Sequence, residues 1–325
     1  MAKLSHFSPK RLGHSRPAAF PLGPPTWPGG VERPALEKSL GVDYDTEWSR
    51  RWPARVARAV MLEVVTTPVM QVLATPRVRG LDRLADLEAP VIFAANHSSH
   101  LDLSLLLVCM PERFRRRCVV AAAADYFFDR RWKAAMWALA IAAIPIERTR
   151  VSRRGSELAT ELLGGDWNLV IFPEGGRSRD GWEQPFRGGA AYLAKKADAP
   201  VVPVYMQGTR RILARGASRI RRSPTTVTFG PALWPAADED ARRFSVRIEA
   251  GVAALADEVT TDWWSARRRA AAGTTPGLTG PDASPWRRAW ALDQGDQRRS
   301  GKGAATWPPL GRAPSRVTMT PRAPG

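Results

Sequence analysis

Four histidines occur in the 325 residues, and two stand in one run, Asn96-His97-Ser98-Ser99-His100-Leu101-Asp102. The run follows the apolar stretch Val91–Ala95. His97 therefore falls in the turn at a strand end, and Asp102 in the first turns of the next helix. A carboxylate there can accept the imidazole Nδ1–H, fix the tautomer and leave Nε2 to take a proton from a hydroxyl. Helix geometry does not align residues five apart, so this pairing requires a non-helical His97. A structural His–Asp pair fits the same spacing, and the two readings stay open. His97, His100 and Asp102 also spell HxxHxD, which would seed a metal site. A catalytic zinc takes three protein ligands, and the remaining histidines, His6 and His14, lie in a segment without periodicity. No metal is expected.

A second cluster follows the apolar run Leu169–Phe172: Pro173-Glu174-Gly175-Gly176-Arg177-Ser178-Arg179. Two glycines let backbone N–H groups approach an anion, while Arg177 and Arg179 bring charge and donors. A plain reversal with solvated charges uses the same residues. Arg148 stands just past Ile144-Pro145-Ile146-Glu147, as a substrate clamp or as the ion-pair partner of Glu147. Val202-Pro203-Val204 reads as an edge or bulged strand, because proline cannot donate to a ladder. Neither Cys109 nor Cys118 sits in a nucleophile setting, and no G-x-S-x-G elbow occurs. Two cysteines make no disulfide framework and point to a reducing compartment.

These groups need elements to hold them. Strand-length apolar runs appear at Val91–Ala95, Cys118–Ala122, Ile144–Ile146, Leu169–Phe172, Val201–Tyr205 and Thr225–Phe229. Helix-like stretches lie between them at Leu101–Val108, Trp132–Ala143, Arg153–Leu163, Gly189–Lys196 and Arg243–Val259. That alternation predicts one α/β domain over 46–264, with a mostly parallel or mixed sheet flanked by helices. Ligands in such sheets gather at strand ends. Trp132–Ala143 would pack on the sheet, since a helix in such a fold must bury a face.

The two ends differ in composition. Residues 1–45 read as a disordered basic arm, without a secretory signal. Residues 265–325 hold eleven Lys/Arg against three Asp, with Pro and Gly throughout, and read as a disordered tail whose removal should leave turnover unchanged. Residues 52–75 are apolar but carry Arg55, Arg58 and Glu63, with Pro53 and Pro68 interrupting. A spanning helix takes about 20 mainly apolar residues. An interfacial amphipathic helix bent at Pro68 fits better, beside a helix packed on the sheet. The net charge of +18 favours an anionic partner. More than half of the net positive charge lies in the two ends and no nucleic-acid-binding motif is present, so nucleic acid is not expected.

In order and spacing, the blocks resemble the 1-acylglycerol-3-phosphate O-acyltransferase (PlsC-like) family of glycerolipid acyltransferases. Asn96–Asp102 is similar to its NHxxxxD block, Ile144–Arg148 to its second, Phe172–Ser178 to FPEGTRS and Val202–Val204 to its last. Phe186-Arg187-Gly188-Gly189-Ala190 looks like the segment after the third block. The likeness covers about residues 60–235. Gly176 replaces the family's usual Thr, and Glu147 precedes Arg148 where Asp or another residue is common.

The resemblance implies a glycerol-3-phosphate acyltransferase-like fold. It also implies transfer of a fatty acyl group from acyl-CoA or acyl carrier protein to the hydroxyl of a lysophospholipid, with no cofactor. 1-Acylglycerol-3-phosphate, giving phosphatidic acid, is the expected acceptor; a CoA-independent transacylase or another hydroxyl acceptor is the alternative. A non-catalytic basic adaptor is the reading from a different class, and the intact His97 and Asp102 argue against it. The implied roles are general base for His97, orienter for Asp102, and substrate contacts for Asn96, Ser99, Arg148, Glu174, Gly175, Gly176, Arg177, Ser178 and Pro203. Glu174, an anion itself, would hold a neighbouring Arg or backbone group; Ser99 or the backbone near Gly175 would face the oxyanion. The expected location is the cytoplasmic face of an anionic membrane, bound peripherally.

Overall fold

The computed structural model describes residues 41, 43–147, 153–178, 180–214, 217–284, 286–288 and 290–292. A long helix comes first, as α1 (Trp52–Met61), a π turn (Leu62–Thr66) and α2 (Thr67–Ala74), followed by β1 (Pro76–Arg79) and β2 (Ile92–Ala95). Next come α3 (Asp102–Cys109), α4 (Glu112–Arg115), β3 (Cys118–Ala123), α5 (Ala124–Phe127), α6 (Arg131–Ile141) and β4 (Ala143–Ile146). Then follow α7 (Arg153–Gly164), β5 (Asn168–Ile171), α8 (Gly189–Ala197), β6 (Val201–Gln207), α9 (Thr209–Ile212), β7 (Thr225–Phe229), α10 (Ala241–Thr260) and α11 (Trp263–Ala271).

The strands form one seven-stranded sheet in the order β1-β7-β6-β2-β5-β3-β4. Its pairs are parallel except β6–β7, which is antiparallel. Strands β2 and β5 are buried along their whole length, the expected state of near-continuous apolar runs between two helical layers. One core layer gathers Phe93, Leu105, Leu106, Val204 and Phe229; the other gathers Ile92, Ile144, Leu169, Val201 and Phe244. The polar exception, Asn168, is satisfied by the Val91 amide and the Phe114 carbonyl. At one edge β1 exposes Arg77 and Arg79, charges that discourage pairing with another chain.

The six apolar runs are β2 to β7, and the five expected helices are α3, α6, α7, α8 and α10. Pro203 does not mark an edge: β6 lies between β2 and β7. Its ring fills space that glycines leave, since a Cβ on Gly230 or Gly251 would come 2.7 or 3.2 Å from its Cγ. Helix α6 exposes Trp132, Met136 and Leu139 and buries Ala134 and Ala138.

Residues 52–74 form one continuous helix, long and apolar enough to cross a membrane by length and composition alone. Ala54, Leu62, Met70 and Ala74 face inward, while Trp52, Val56, Val60, Val64, Val65, Val69 and Val72 are exposed. The irregularity expected at Pro68 lies one turn earlier. There the Thr67 N–H reaches back to Leu62 O in a wider π turn, which accommodates the proline ring and its missing donor. Arg58 turns inward: its guanidinium donates to Ser49 O at 2.6 Å and to Leu139 O and Ala138 O at 2.9 and 3.3 Å. It thus caps the last carbonyls of α6.

The C-terminal boundary needs correction. Ordered chain continues past residue 264 because Asp262 caps α11 through the Ser265 N–H, and Arg269 forks onto the buried Asp257 at 2.6 and 2.7 Å. Residues 273–284, 286–288 and 290–292 follow as further described chain. Residues 293–325, and the arm up to residue 40, lie outside the described residues.

Candidate active site

The neighbouring ends of β2 and β5 build the site. Their parallel register pairs Ala94 with Ile171, so three residues further on the two chains bring His97 beside Glu174. Both sit in turns at the carboxyl edge of the sheet, where ligands gather in folds of this kind.

His97 is non-helical, as its pairing requires. Its Nδ1 lies 3.0 Å from Asp102 Oδ2, and Asp102 is fully buried as the first residue of α3. The same carboxylate oxygen accepts the N–H groups of Ser98 at 2.6 Å and Ser99 at 2.8 Å. A carboxylate at a helix start, facing backbone donors, is favoured by the helix dipole. Since a carboxylate only accepts, Nδ1 carries the proton and Nε2 keeps its lone pair. The imidazole stacks on Phe172, centroids 4.2 Å apart, and keeps 20% of its side-chain surface exposed.

Glu174 holds the second turn to the first. Buried, it accepts the His97 N–H at 2.6 Å and the Gln184 N–H at 2.9 Å. Burial pushes its carboxyl up to about 7, against the lowering effect of those two bonds. It binds backbone groups, as its anionic character suggested. Ser178 N–H returns a bond to His97 O at 2.9 Å, so the histidine's own peptide is held from both sides.

Gly175 has φ +70°, and a Cβ on it would meet the Arg187 guanidinium at 3.0 Å. Arg187 is exposed and was legible only as part of the Phe186–Ala190 segment. Gly176 and Arg177 follow in the same turn, partly exposed. The charge of Arg177 reaches His100, whose imidazole is lowered by burial first, then by Arg177 and His97. Arg148 and Arg179 lie outside the described residues.

Three expected substrate contacts turn inward instead. Asn96 is buried, its amide exchanging bonds with the Met206 backbone at 2.7 and 3.0 Å and donating to Glu183 Oε1 at 2.9 Å. Ser99 is buried, with its hydroxyl on Leu213 O at 2.8 Å, so it is not aimed at an oxyanion. Ser178 is buried, and its hydroxyl accepts the Gly181 N–H at 2.7 Å. Pro203 lies within β6, not at the strand ends. These residues join the site turns to β6, to the loop after it and to the 180–184 loop. Sequence reasoning missed Glu183, Gln184 and Thr209, whose hydroxyl lies 3.0 Å from that of Ser98. None stands in a motif or a periodic run.

Residues 75–207 match the family model described as Acyltransferase. Over those residues the chain is similar to the acyltransferases that this model describes. The chain is 30% identical to 1-acyl-sn-glycerol-3-phosphate acyltransferase alpha of Mus musculus over 183 residues, 53% of this chain and 61% of that protein. A 66-residue stretch, 20% of the chain, is 41% identical to 24% of the 1-acyl-sn-glycerol-3-phosphate acyltransferase of Limnanthes douglasii. The crystal structure of the 1-acyl-sn-glycerophosphate (LPA) acyltransferase PlsC from Thermotoga maritima shares the fold. It superposes with a TM-score of 0.51 at 19% identity, over 67% of this chain and 84% of that one. The chain thus spans about three fifths of the length of its mouse relative. The match to the family model contains the His97 and Glu174 turns and ends at Gln207, before α9, α10 and α11.

Proposed function

We propose that the acyltransferase domain moves a fatty acyl group from an acyl thioester, acyl-CoA or acyl carrier protein, to the hydroxyl of 1-acylglycerol-3-phosphate, giving phosphatidic acid. The observation that carries this reading is the fixed His97–Asp102 pair, with Nε2 at a partly exposed strand-end site. A thioester is already activated, so a base suffices. The buried Cys109 and Cys118, both pushed up to about 12 by burial, offer no thiolate.

His97 Nε2 takes the acceptor proton while the hydroxyl oxygen attacks the thioester carbonyl. The tetrahedral adduct collapses, the C–S bond breaks, and the imidazolium proton passes to the leaving thiolate. Asp102 steadies the transient imidazolium. Arg177 and Arg187, with Arg148 from the second block, supply charge for the acceptor phosphate. The backbone around Gly175 is the remaining candidate for the oxyanion.

Membrane access fits the exposed valine stripe of 52–74 and the Trp132, Met136 and Leu139 surface of α6, which packs beside α1. Each Lys or Arg near an anionic surface adds about 1 kcal/mol of attraction. This favours peripheral binding at the cytoplasmic face.

The test is free-thiol release from oleoyl-CoA with and without lysophosphatidic acid. Acceptor-dependent release in the wild type should fall about 10²–10⁴-fold in His97→Ala with unchanged melting temperature. Turnover that survives the substitution overturns the mechanism.

A further inference from the structure

Residues 278–284 and 286–288 lie beyond the segment matched by the family model. They are stitched to the loop 180–184. Arg288 Nε donates to Asp180 Oδ2 at 2.7 Å, and the Trp182 indole N–H donates to Arg288 O at 2.9 Å. Glu183 N–H reaches Leu278 O at 3.2 Å. The rest of the Arg288 guanidinium binds Pro281 O and Thr279 O at 2.8 and 3.0 Å, which closes the segment on itself. Gly280, at φ +74°, passes so close to Trp182 that a Cβ would collide with its ring. Leu278 packs against Tyr205, Val252 and Leu255.

The loop's other side faces the active site. Glu183 receives Asn96 Nδ2 at 2.9 Å, and Asn96 is the residue before His97. Gln184 N–H binds Glu174 Oε2 at 2.9 Å, and the other oxygen of that carboxylate holds the His97 N–H at 2.6 Å. Two adjacent routes thus join the C-terminal segment and its loop to the peptide of the proposed base, Leu278–Glu183–Asn96 and, one residue along the loop, Gln184–Glu174–His97.

We propose that residues 278–284 and 286–288 form a strap that positions His97 through the 180–184 loop, with Arg288 as its positioning residue. This rests on the reading of His97 as the base. A base displaced by a fraction of an ångström loses rate without losing substrate affinity, and a 1 Å misplacement costs up to about 10²-fold. The strap therefore acts on kcat.

The experiment compares full-length wild type, Arg288→Ala, Arg288→Lys and Gly280→Ala. Two readouts are taken well below the melting temperature. The first is kcat and both KM values with oleoyl-CoA and lysophosphatidic acid. The second is amide hydrogen exchange at His97 and at Trp182–Gln184. Arg288→Ala and Gly280→Ala should lower kcat about tenfold, leave both KM values unchanged, and speed exchange at those amides but not in β3. Arg288→Lys keeps the charge beside Asp180 and should recover much of both. Unchanged exchange at His97 overturns the strap, as does a lowered melting temperature with full kcat. An inactive wild type whose His97 exchange still responds to Arg288→Ala would sink the acyltransfer reading and leave the strap standing.

Discussion

Glu174 has almost no surface, yet it accepts two backbone N–H groups, and burial raises its carboxyl from 4.5 to about 7. An acid whose folded value lies above its unfolded value binds more protons when native between those limits. Its stabilising contribution is complete below about pH 4.5 and is lost as pH rises through about 7. In urea titrations, Glu174→Gln should therefore lose the fall in stability between pH 5 and 7.5 that the wild type displays. An equal fall in both proteins contradicts that assignment. The reach of sequence reasoning at this scale follows from where the partners lie. The His97–Asp102 pair is five residues apart and legible, and so is the glycine turn. The inward direction of Asn96 and Ser99 is not, because it depends on Met206, Glu183 and Leu213 groups brought in by the fold, nor is that of Ser178, whose hydroxyl is turned onto the Gly181 N–H. A motif letter records which atoms a residue has, not which way they point.

Arg58 is the element-scale counterpart, a cation on an apolar helix that is explained once α6 ends against it. Arg58→Ala leaves Ser49, Ala138 and Leu139 carbonyls without this donor. A charged hydrogen bond is worth about 1.5–3 kcal/mol, so a loss of roughly that size should appear in denaturant melts, with Arg58→Lys intermediate. A loss within error would mean water replaces the guanidinium. Strands were legible wherever burial on both faces enforces a continuous apolar run, as in β2, β5 and β6. Strand β1 was not, because Pro76-Arg77-Val78-Arg79 pairs at an edge and carries charge outward. The ordered chain after residue 264 was hidden for a different reason. Its composition is polar and rich in Pro and Gly, and what orders it is a few specific contacts, Arg269 on Asp257 and Arg288 on Asp180, which leave no periodic signal.

At the scale of the whole molecule, the exposed valines of 52–74 and the net charge of +18 support the proposed lipid partner. Val64, 67% exposed, and Val69 make few internal contacts to lose. The double substitution Val64→Asp with Val69→Asp should abolish co-sedimentation with anionic phospholipid vesicles and leave the melting temperature unchanged. Vesicle binding at the wild-type level would remove this helix from the membrane contact. The junction at the end of that helix has a mechanical consequence. Only Thr75, left-handed at φ 35°, separates α2 from β1, and the helix end is also fastened sideways by Ser223 N–H on Leu73 O and Thr225 Oγ1 on Ala74 O. There is no hinge here. Under the proposed membrane binding, helix and sheet would tilt together, so the angle at which the helix lies in lipid would fix the altitude of His97 above it. On that proposal the bilayer would work as a datum plane, from which the height an acceptor's hydroxyl must rise to reach His97 is set.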